Sequence, residues 1–574
     1  MKKFIIGLLT GIALAVLSLV IIGFSLARMG DRRPVIPDNA TLVIRLEGEV
    51  PEKAPVSVPL PIVGTEEVAT VRDLWMTLRK AAADKRIKAV VIEPGGMDLG
   101  WAKADELRND LLQFKRSGKP LWAYLRRPRT RDYYLASAAD RICMSPQDVL
   151  DVKGLRAELT YFRNTLDKIG VQVEVYHIGK YKNAGDMFTQ TTSTPETREV
   201  MNSVLDTVYA YMVDVFARSR HKSPEEMRAL IDKGPFLAEQ AQQAGLIDTQ
   251  LYEDQFYTEL RDRLRQSEIK KVSHIQYMRV PASTVGLEGR KNIAFVVGEG
   301  TIVTGSGSDA TGDEGFVSGP FIKMLRQVRD DKSIDGVILR IDSPGGDAVA
   351  SDEILREVKL LRDKKPLVIS MSDLAASGGY YVSMTGDPTI AYPLTYTGSI
   401  GIVYGKPNIK GLYDKLGITK DIMTRGTNAG IDSNYGPMNE AAKAKLRQVL
   451  EQFYTGFVGK AATARRMTYA ELEALAQGRV WMGSQARANH LIDDVGGIDR
   501  AVELLKAKAH IPPGESVRLT PYPPRRSIFD QLFKTQSDSL LETRLRGALA
   551  PLDYRLFTNG SGYLHMAPYR LKVE

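Results

Sequence analysis

The feature that most constrains this chain is an internal repeat. Asp84-Lys85-Arg86-Ile87-Lys88-Ala89-Val90-Val91-Ile92 returns as Asp331-Lys332-Ser333-Ile334-Asp335-Gly336-Val337-Ile338-Leu339, an offset of 247 (84 to 331). The same offset relates Asp105-Glu106 to Asp352-Glu353, Tyr133-Tyr134 to Tyr380-Tyr381, Asp140 to Asp387 and Gly154 to Gly401. Leu246-Ile247-Asp248 returns as Leu491-Ile492-Asp493 at offset 245, so the second copy has lost two residues on the way. Such self-similarity predicts two copies of one unit. They span 41–285 and 290–510, between an N-terminal segment, 1–30, and a C-terminal tail, 511–574.

Each copy alternates short β-rich runs with longer helical patterns. Val337–Ile341 and Pro366–Ser370 read as buried strands. Between them, Ile354, Leu355, Val358 and Leu361 form a helical stripe over Ser351–Arg362, opened by Ser351 or Asp352. Recurring strand–helix–strand units predict an α/β fold with right-handed crossovers. A longer helical segment follows in each copy, near 196–219 and 439–464.

Phe4–Ala27 is a run of 24 residues without a charge. At ~1.5 Å per residue it can cross a ~30 Å hydrocarbon core. It is longer than the ~7–15 apolar residues of a cleaved leader, so residues 1–30 are predicted to be a membrane anchor. Lys2 and Lys3 flank one side and Arg28, Arg32 and Arg33 the other, so charge bias sets no orientation. The net charge of +9 comes from 78 basic and 69 acidic residues without a long Lys/Arg block, which gives nucleic acid no priority as a partner. Cys143 is the single cysteine, which excludes an intrachain disulfide and any multi-cysteine metal site.

The two copies diverge in a complementary way. The second has Asp342-Ser343-Pro344-Gly345-Gly346 after one strand and Ala376-Ser377-Gly378-Gly379-Tyr380 after the next. Glycines at strand ends admit close backbone approach and outward N–H groups. Ser377 is therefore a candidate nucleophile on a tight turn. Gly378 and a glycine of the 345–346 pair are candidate oxyanion donors. In the first copy Thr130-Arg131-Asp132 replaces Ser377-Gly378-Gly379. The first copy instead carries Gly179-Lys180-Tyr181-Lys182-Asn183, whereas the second reads Gly426-Thr427-Asn428, with Lys182 lost in the two-residue gap. One copy keeps a serine turn and the other a lysine loop, which predicts one composite site per chain.

A serine nucleophile needs a base. None of the six histidines falls between Ser377 and His490. A lysine serves if burial keeps it neutral, its ordinary value being ~10.4. Lys182 is the candidate, and Ser399, in Thr397-Gly398-Ser399-Ile400-Gly401, is a candidate to orient its nitrogen; Val152 is the first copy's counterpart. Singly, a lysine is usually a surface residue and a serine in a glycine-rich turn is usually a turn. The reciprocal loss is what raises the catalytic reading above these.

On the motifs Asp342–Gly346, Ala376–Tyr380, Thr397–Gly401 and Tyr181-Lys182, the chain resembles the bacterial membrane-bound Ser/Lys peptidases of the long-form signal peptide peptidase A family, over nearly its whole length. The resemblance implies Ser377 as nucleophile, Lys182 as general base, Ser399 as the residue positioning the lysine, and Gly346 and Gly378 as oxyanion donors. It implies a tandem Clp-protease/crotonase-like fold and a homotetramer without cofactor or metal. It also implies a single-pass protein of the bacterial inner membrane, its body on the periplasmic side, that degrades apolar remnants of signal peptides. Asn183 departs from the pattern, which has a serine after the lysine. Two readings from other classes stand beside this one: crotonase-like acyl-CoA chemistry, and an idle scaffold on the same fold.

Overall fold

The computed structural model describes residues 34–54, 68–305 and 315–524 and the strand Tyr563–Met566, together with Gly7 and Gly11. The anchor expected over residues 1–30 lies outside the described residues. Among those described, no helix is long and apolar enough to cross a membrane.

In unit one, β1 (Ala40–Gly48), β2 (Ile87–Met97), β3 (Leu121–Leu125) and β4 (Arg141–Met144) form a parallel sheet. Helices α1 (Val71–Ala83), α2 (Trp101–Lys115) and α3 (Thr130–Ala136) follow the first three strands. Local chemistry sets these boundaries: Thr70 and Asp73 close a reciprocal capping box that opens α1. Beyond this core lie β5 (Gln172–Ile178) and the long helix α4 (Pro195–Ser219).

Unit two repeats the plan. Strands β6 (Lys291–Glu299), β7 (Gly336–Ser343) and β8 (Leu367–Ala376) are parallel neighbours, with α5 (Ala348–Arg362) between the last two and α6 (Gly378–Val382) directly after β8. Strand β9 (Tyr396–Gly398) adds to β8, followed by β10 (Ile402–Asn408), α7 (Glu440–Arg465) and α8 (Ile498–Lys508). Helix α5 begins three residues before the expected Ser351, because Asp347 accepts the Ala350 N–H at 2.8 Å and caps it earlier. Lys270–Ser273 pairs with β1 as Val517–Tyr522 pairs with β6, so residues beyond 510 complete the second sheet.

Alternation along the strands explains how the units dock. Ile293, Phe295, Ile338 and Val368 join the core cluster that contains Leu42, Val90 and Phe216 of unit one. Their neighbours Ala294, Val296, Leu339 and Ile369 join a second cluster under α5 and α7. The second sheet is therefore buried on both faces, one of them by the other unit.

One element breaks the repeat. Strand β10 pairs antiparallel with β5 of unit one, Ile402 opposite Ile178 and Asn408 opposite Gln172. The positions equivalent to β10 in unit one, 155–161, form neither strand nor helix, and those equivalent to β5 in unit two, 419–425, form no strand. Strand Tyr563–Met566 lies antiparallel to β10 on its other side and to Gly345–Asp347, so the chain's own tail backbone runs along the glycine pair.

Candidate active site

The β5–β10 pair explains the convergence of the two half-sites. Lys182 stands four residues beyond Ile178 and Ser399 three residues before Ile402. In an antiparallel pair those positions lie at the same end. Strand β9, ending one residue before Ser399, is hydrogen-bonded to β8, which ends one residue before Ser377. The sheets thus deliver Lys182, Ser399 and Ser377 to one point.

There, Lys182 Nζ lies 2.7 Å from Ser377 Oγ, 2.9 Å from Ser399 O and 3.0 Å from Ser399 Oγ. All three residues are fully buried. Burial holds the lysine well below its usual value, and among the described residues no carboxylate opposes it. No histidine hydrogen-bonds to Lys182 Nζ or Ser377 Oγ among the described residues.

Ser377 sits at φ 54° and ψ −112°, a conformation unusual for a side chain with a Cβ. It is held by its own N–H to Gly398 O at 2.8 Å and by the Tyr381 N–H to Ser377 O at 2.7 Å. The strained turn puts the hydroxyl at the junction of β8 and α6. Gly346 (φ 153°) has no space for another residue: a Cβ there would stand 1.9 Å from Ile302 O. A Cβ on Gly378 would meet Gly345 Cα at 3.0 Å and Gly346 N at 3.1 Å, so the two candidate oxyanion glycines are packed against each other beside Ser377.

Unit one closes the equivalent position. At the end of β2, Gly96 and Met97, equivalent to Ser343 and Pro344, donate their N–H groups to the Asp132 carboxylate at 3.2 Å each, and Arg129 N–H donates to it at 2.8 Å. A carboxylate thus fills the turn that glycines leave open in unit two. Asn183 donates from Nδ2 to Thr197 Oγ1, which ties the lysine loop to the first turn of α4.

Sequence reasoning missed the clasp around the lysine. Tyr181 N–H donates to Gln477 O at 2.7 Å, Gly478 N–H to Ile400 O at 2.8 Å and Ser399 N–H to Arg479 O at 2.7 Å. Gly478 (φ 75°) presses on the backbone of Lys182: a Cβ there would lie 2.6 Å from Lys182 N and Cβ. Gly401, noted only as part of a motif, walls the stem, where a Cβ would lie 3.0 Å from Lys182 Cδ. Gln477-Gly478 in a helix-to-strand connection has the composition of an ordinary turn, so its sequence carried no functional signal.

Comparison with known proteins matches both halves of the chain. The model of peptidase family S49 matches residues 113–267 and 359–512. The chain is 36% identical over 445 residues to the chloroplastic serine protease SPPA of Arabidopsis thaliana, covering 77% of this chain and 66% of that protein. It is 31% identical over 450 residues to protease 4 of Haemophilus influenzae, covering 75% and 71%. Protease 4 of Salmonella typhi is 29% identical over 469 residues, covering 76% and 72%.

Proposed function

The chain belongs to peptidase family S49 and is a serine peptidase; from that premise we propose that it is an endopeptidase working with a Ser377–Lys182 dyad assembled from both units. The observation that carries this reading is the 2.7 Å approach of Lys182 Nζ to Ser377 Oγ in a fully buried site.

A neutral amine has two N–H groups and one lone pair. With Ser399 O and Ser399 Oγ accepting the two N–H groups, the lone pair faces the Ser377 hydroxyl. In the proposed reaction Nζ takes the hydroxyl proton as Oγ bonds to the substrate carbonyl carbon. The carbonyl oxygen becomes an anion in front of the Gly346 and Gly378 N–H groups. The ammonium returns the proton to the departing amine as the C–N bond breaks, leaving an acyl-serine. Water then attacks this ester while Nζ takes its proton, and as the acyl C–Oγ bond breaks the ammonium returns that proton to Ser377 Oγ, releasing the acid product and restoring the neutral amine. Ser399 keeps the lone pair aimed. The Clp-protease/crotonase-like reading of each unit is supported by parallel strands each followed by a helix, with the nucleophile at a strand end.

We read the substrate as an extended, apolar peptide added as a strand, signal-peptide remnants in the membrane being the natural supply. Its support is the Tyr563–Met566 backbone, which runs antiparallel on Gly345–Asp347. The apolar run Phe4–Ala27 supports an anchor, and the family likeness supports a homotetramer with the body on the periplasmic side of a bacterial inner membrane. The buried Ser–Lys contact weighs against both acyl-CoA chemistry and an idle scaffold.

A fluorophosphonate serine probe tests the reading. Labelling is expected at Ser377, with Ser377→Ala and Lys182→Ala each lowering peptide hydrolysis by several orders of magnitude and the double variant by little more, because the pair acts as a unit. Appreciable hydrolysis by either single variant sinks the assignment.

A further inference from the structure

Strands β7 and β8, which lead to the Gly345-Gly346 turn and to Ser377, fall out of step just before the site. Ile341 pairs with Met371, but the next pair is Ser343 with Ala375. Asp342 on one strand therefore faces Ser372, Asp373 and Leu374 on the other, a bulge that bends β8. A bulge leaves ladder groups without partners, and here side chains replace them: Leu374 N–H donates to Asp342 Oδ1 at 3.0 Å.

Unit one reaches into this bulge. Lys103, on the first turn of α2, places Nζ 2.6 Å from Asp342 Oδ2 and 3.8 Å from Glu299 Oε1. Asp373 accepts the N–H groups of Gly100 and Lys103 at 2.8 Å each and so caps α2 from the other unit. Glu299 in turn accepts the N–H groups of Glu52 at 3.0 Å and Lys53 at 2.9 Å. Next to it, Arg340 donates to Glu52 at 2.8 Å and to Glu106, Ser370 and Ser372. The Lys103 side chain is only 8% exposed and that of Asp342 only 12%. Lys103 and Arg340 thus answer Glu52, Glu106, Glu299, Asp342 and Asp373 in one enclosed cluster. Tyr396 also lies near Asp373, with Arg131 on Tyr396 in turn. Burial opposes the charge on Lys103, but Asp342, Asp373, Glu52 and Glu299 together raise it above its usual value, and it stays an ammonium. The chain's two key lysines are thus in opposite states: Lys182 has burial alone, Lys103 has burial with carboxylates.

Resting on the Ser377–Lys182 reading, we propose that Lys103 is a positioning residue of the peptidase site: from unit one it holds Asp342 and Asp373 together across the bulge and so aims Ser377 and the Gly345-Gly346 turn. Asp342 lies three residues before Gly345, and Asp373 four before Ser377. Without the ammonium, two enclosed carboxylates repel at the place that sets the distance between nucleophile and oxyanion donors. Burial and the neighbouring Asp342 already raise Asp373, and removing Lys103 takes away the charge that lowers it.

The test is Lys103→Met in the full chain, with kcat and KM of peptide hydrolysis followed across pH, alongside thermal unfolding. The expected result is a kcat lowered about tenfold or more with KM changed by less than about threefold, the signature of lost alignment rather than lost binding. The wild-type profile climbs with pH. That of Lys103→Met is expected to gain a falling alkaline limb, as the raised Asp373 loses its proton. Adding Asp342→Asn keeps an oxygen for the Leu374 N–H and removes one charge. The double variant is expected to lose the falling limb and recover most of kcat, and Lys103→Arg to recover part of it. If Lys103→Met does not fold, the folded double variant decides by the same recovery. A wild-type kcat and profile in Lys103→Met, or a folded double variant no better than inactive, overturns the proposal. If Ser377→Ala is inactive while Lys103→Met is normal, only this inference fails. If Ser377→Ala is active, the dyad reading fails with it.

Discussion

Gly478→Ala places a methyl group against the backbone of the candidate base. The new Cβ would stand 2.6 Å from Lys182 N and Cβ and 2.7 Å from Lys182 Cα, whereas ordinary contact begins at 3.4 Å. One backbone must yield by about 0.8 Å, the difference between those distances. The loop is tied on both sides, by Gly478 N–H to Ile400 O and Tyr181 N–H to Gln477 O, so the shift falls on the segment carrying Lys182. Moved by that amount, the 2.7 Å Nζ–Oγ contact opens to the edge of hydrogen-bond reach. A misplacement near 1 Å costs about 10²-fold in rate. The left-handed backbone, φ 75°, adds about 1–2 kcal/mol of destabilisation for alanine. Gly478→Ala is therefore expected to remain folded with a lowered Tm, to lose about 10²-fold in kcat, and to react more slowly with a fluorophosphonate probe. Gly430→Ala is the control, since nothing lies within 4 Å of its Cβ position. Peptide hydrolysis and thermal unfolding measured on both variants decide the matter. A folded Gly478→Ala enzyme with wild-type kcat refutes the argument that the 477–479 clasp holds the base in place.

Because burial alone depresses Lys182, the native state refuses a proton that the unfolded chain binds up to ~10.4, so this group's contribution to stability rises with pH between those two values. Lys182→Met is accordingly expected to raise Tm at neutral pH, with a gain that shrinks as pH approaches ~10; a uniform gain across pH contradicts the neutral base. Wild-type activity should climb with pH in the same window, and Lys182→Arg should not restore it because a guanidinium stays charged. Ser399→Ala removes the 3.0 Å contact and leaves Ser399 O at 2.9 Å, so kcat should fall about tenfold, the worth of one buried hydrogen bond of about 1.4 kcal/mol, with KM nearly unchanged. A loss near that of Lys182→Ala makes Ser399 more than an orienting group.

What could be read from the chain was what the repeat made comparable. Aligning the copies exposed Thr130-Arg131-Asp132 against Ser377-Gly378-Gly379, and the gap that removes a lysine. Local periodicity located β7, α5 and α7 to within a few residues. What was hidden depends on partners far away in sequence. The β5–β10 pair joins positions that the repeat does not equate, and register between distant strands leaves no local pattern. The Asp132 carboxylate on Gly96 and Met97 is invisible until the turn is folded, although its presence where glycine was lost was visible. Lys103 and Asp373 belong to none of the sequence motifs. Only the bulge between Ile341 and Ser343 brings them together.

The distance along the chain between Lys182 and Ser377 has a kinetic meaning. The candidate base is synthesised 195 residues before the candidate nucleophile, with most of unit two still to come. Pairing β5 with β10 closes a long loop, a contact that forms late because its entropy is lost before any contact is gained. Until then Lys182 lacks the burial that lowers its pKa in the docked structure. The lowered pKa of Lys182 is thus a property of the docked pair of units rather than of either one. A finished chain whose units have not yet docked holds Lys182 and Ser377 apart, without the 2.7 Å contact that the proposed reaction needs.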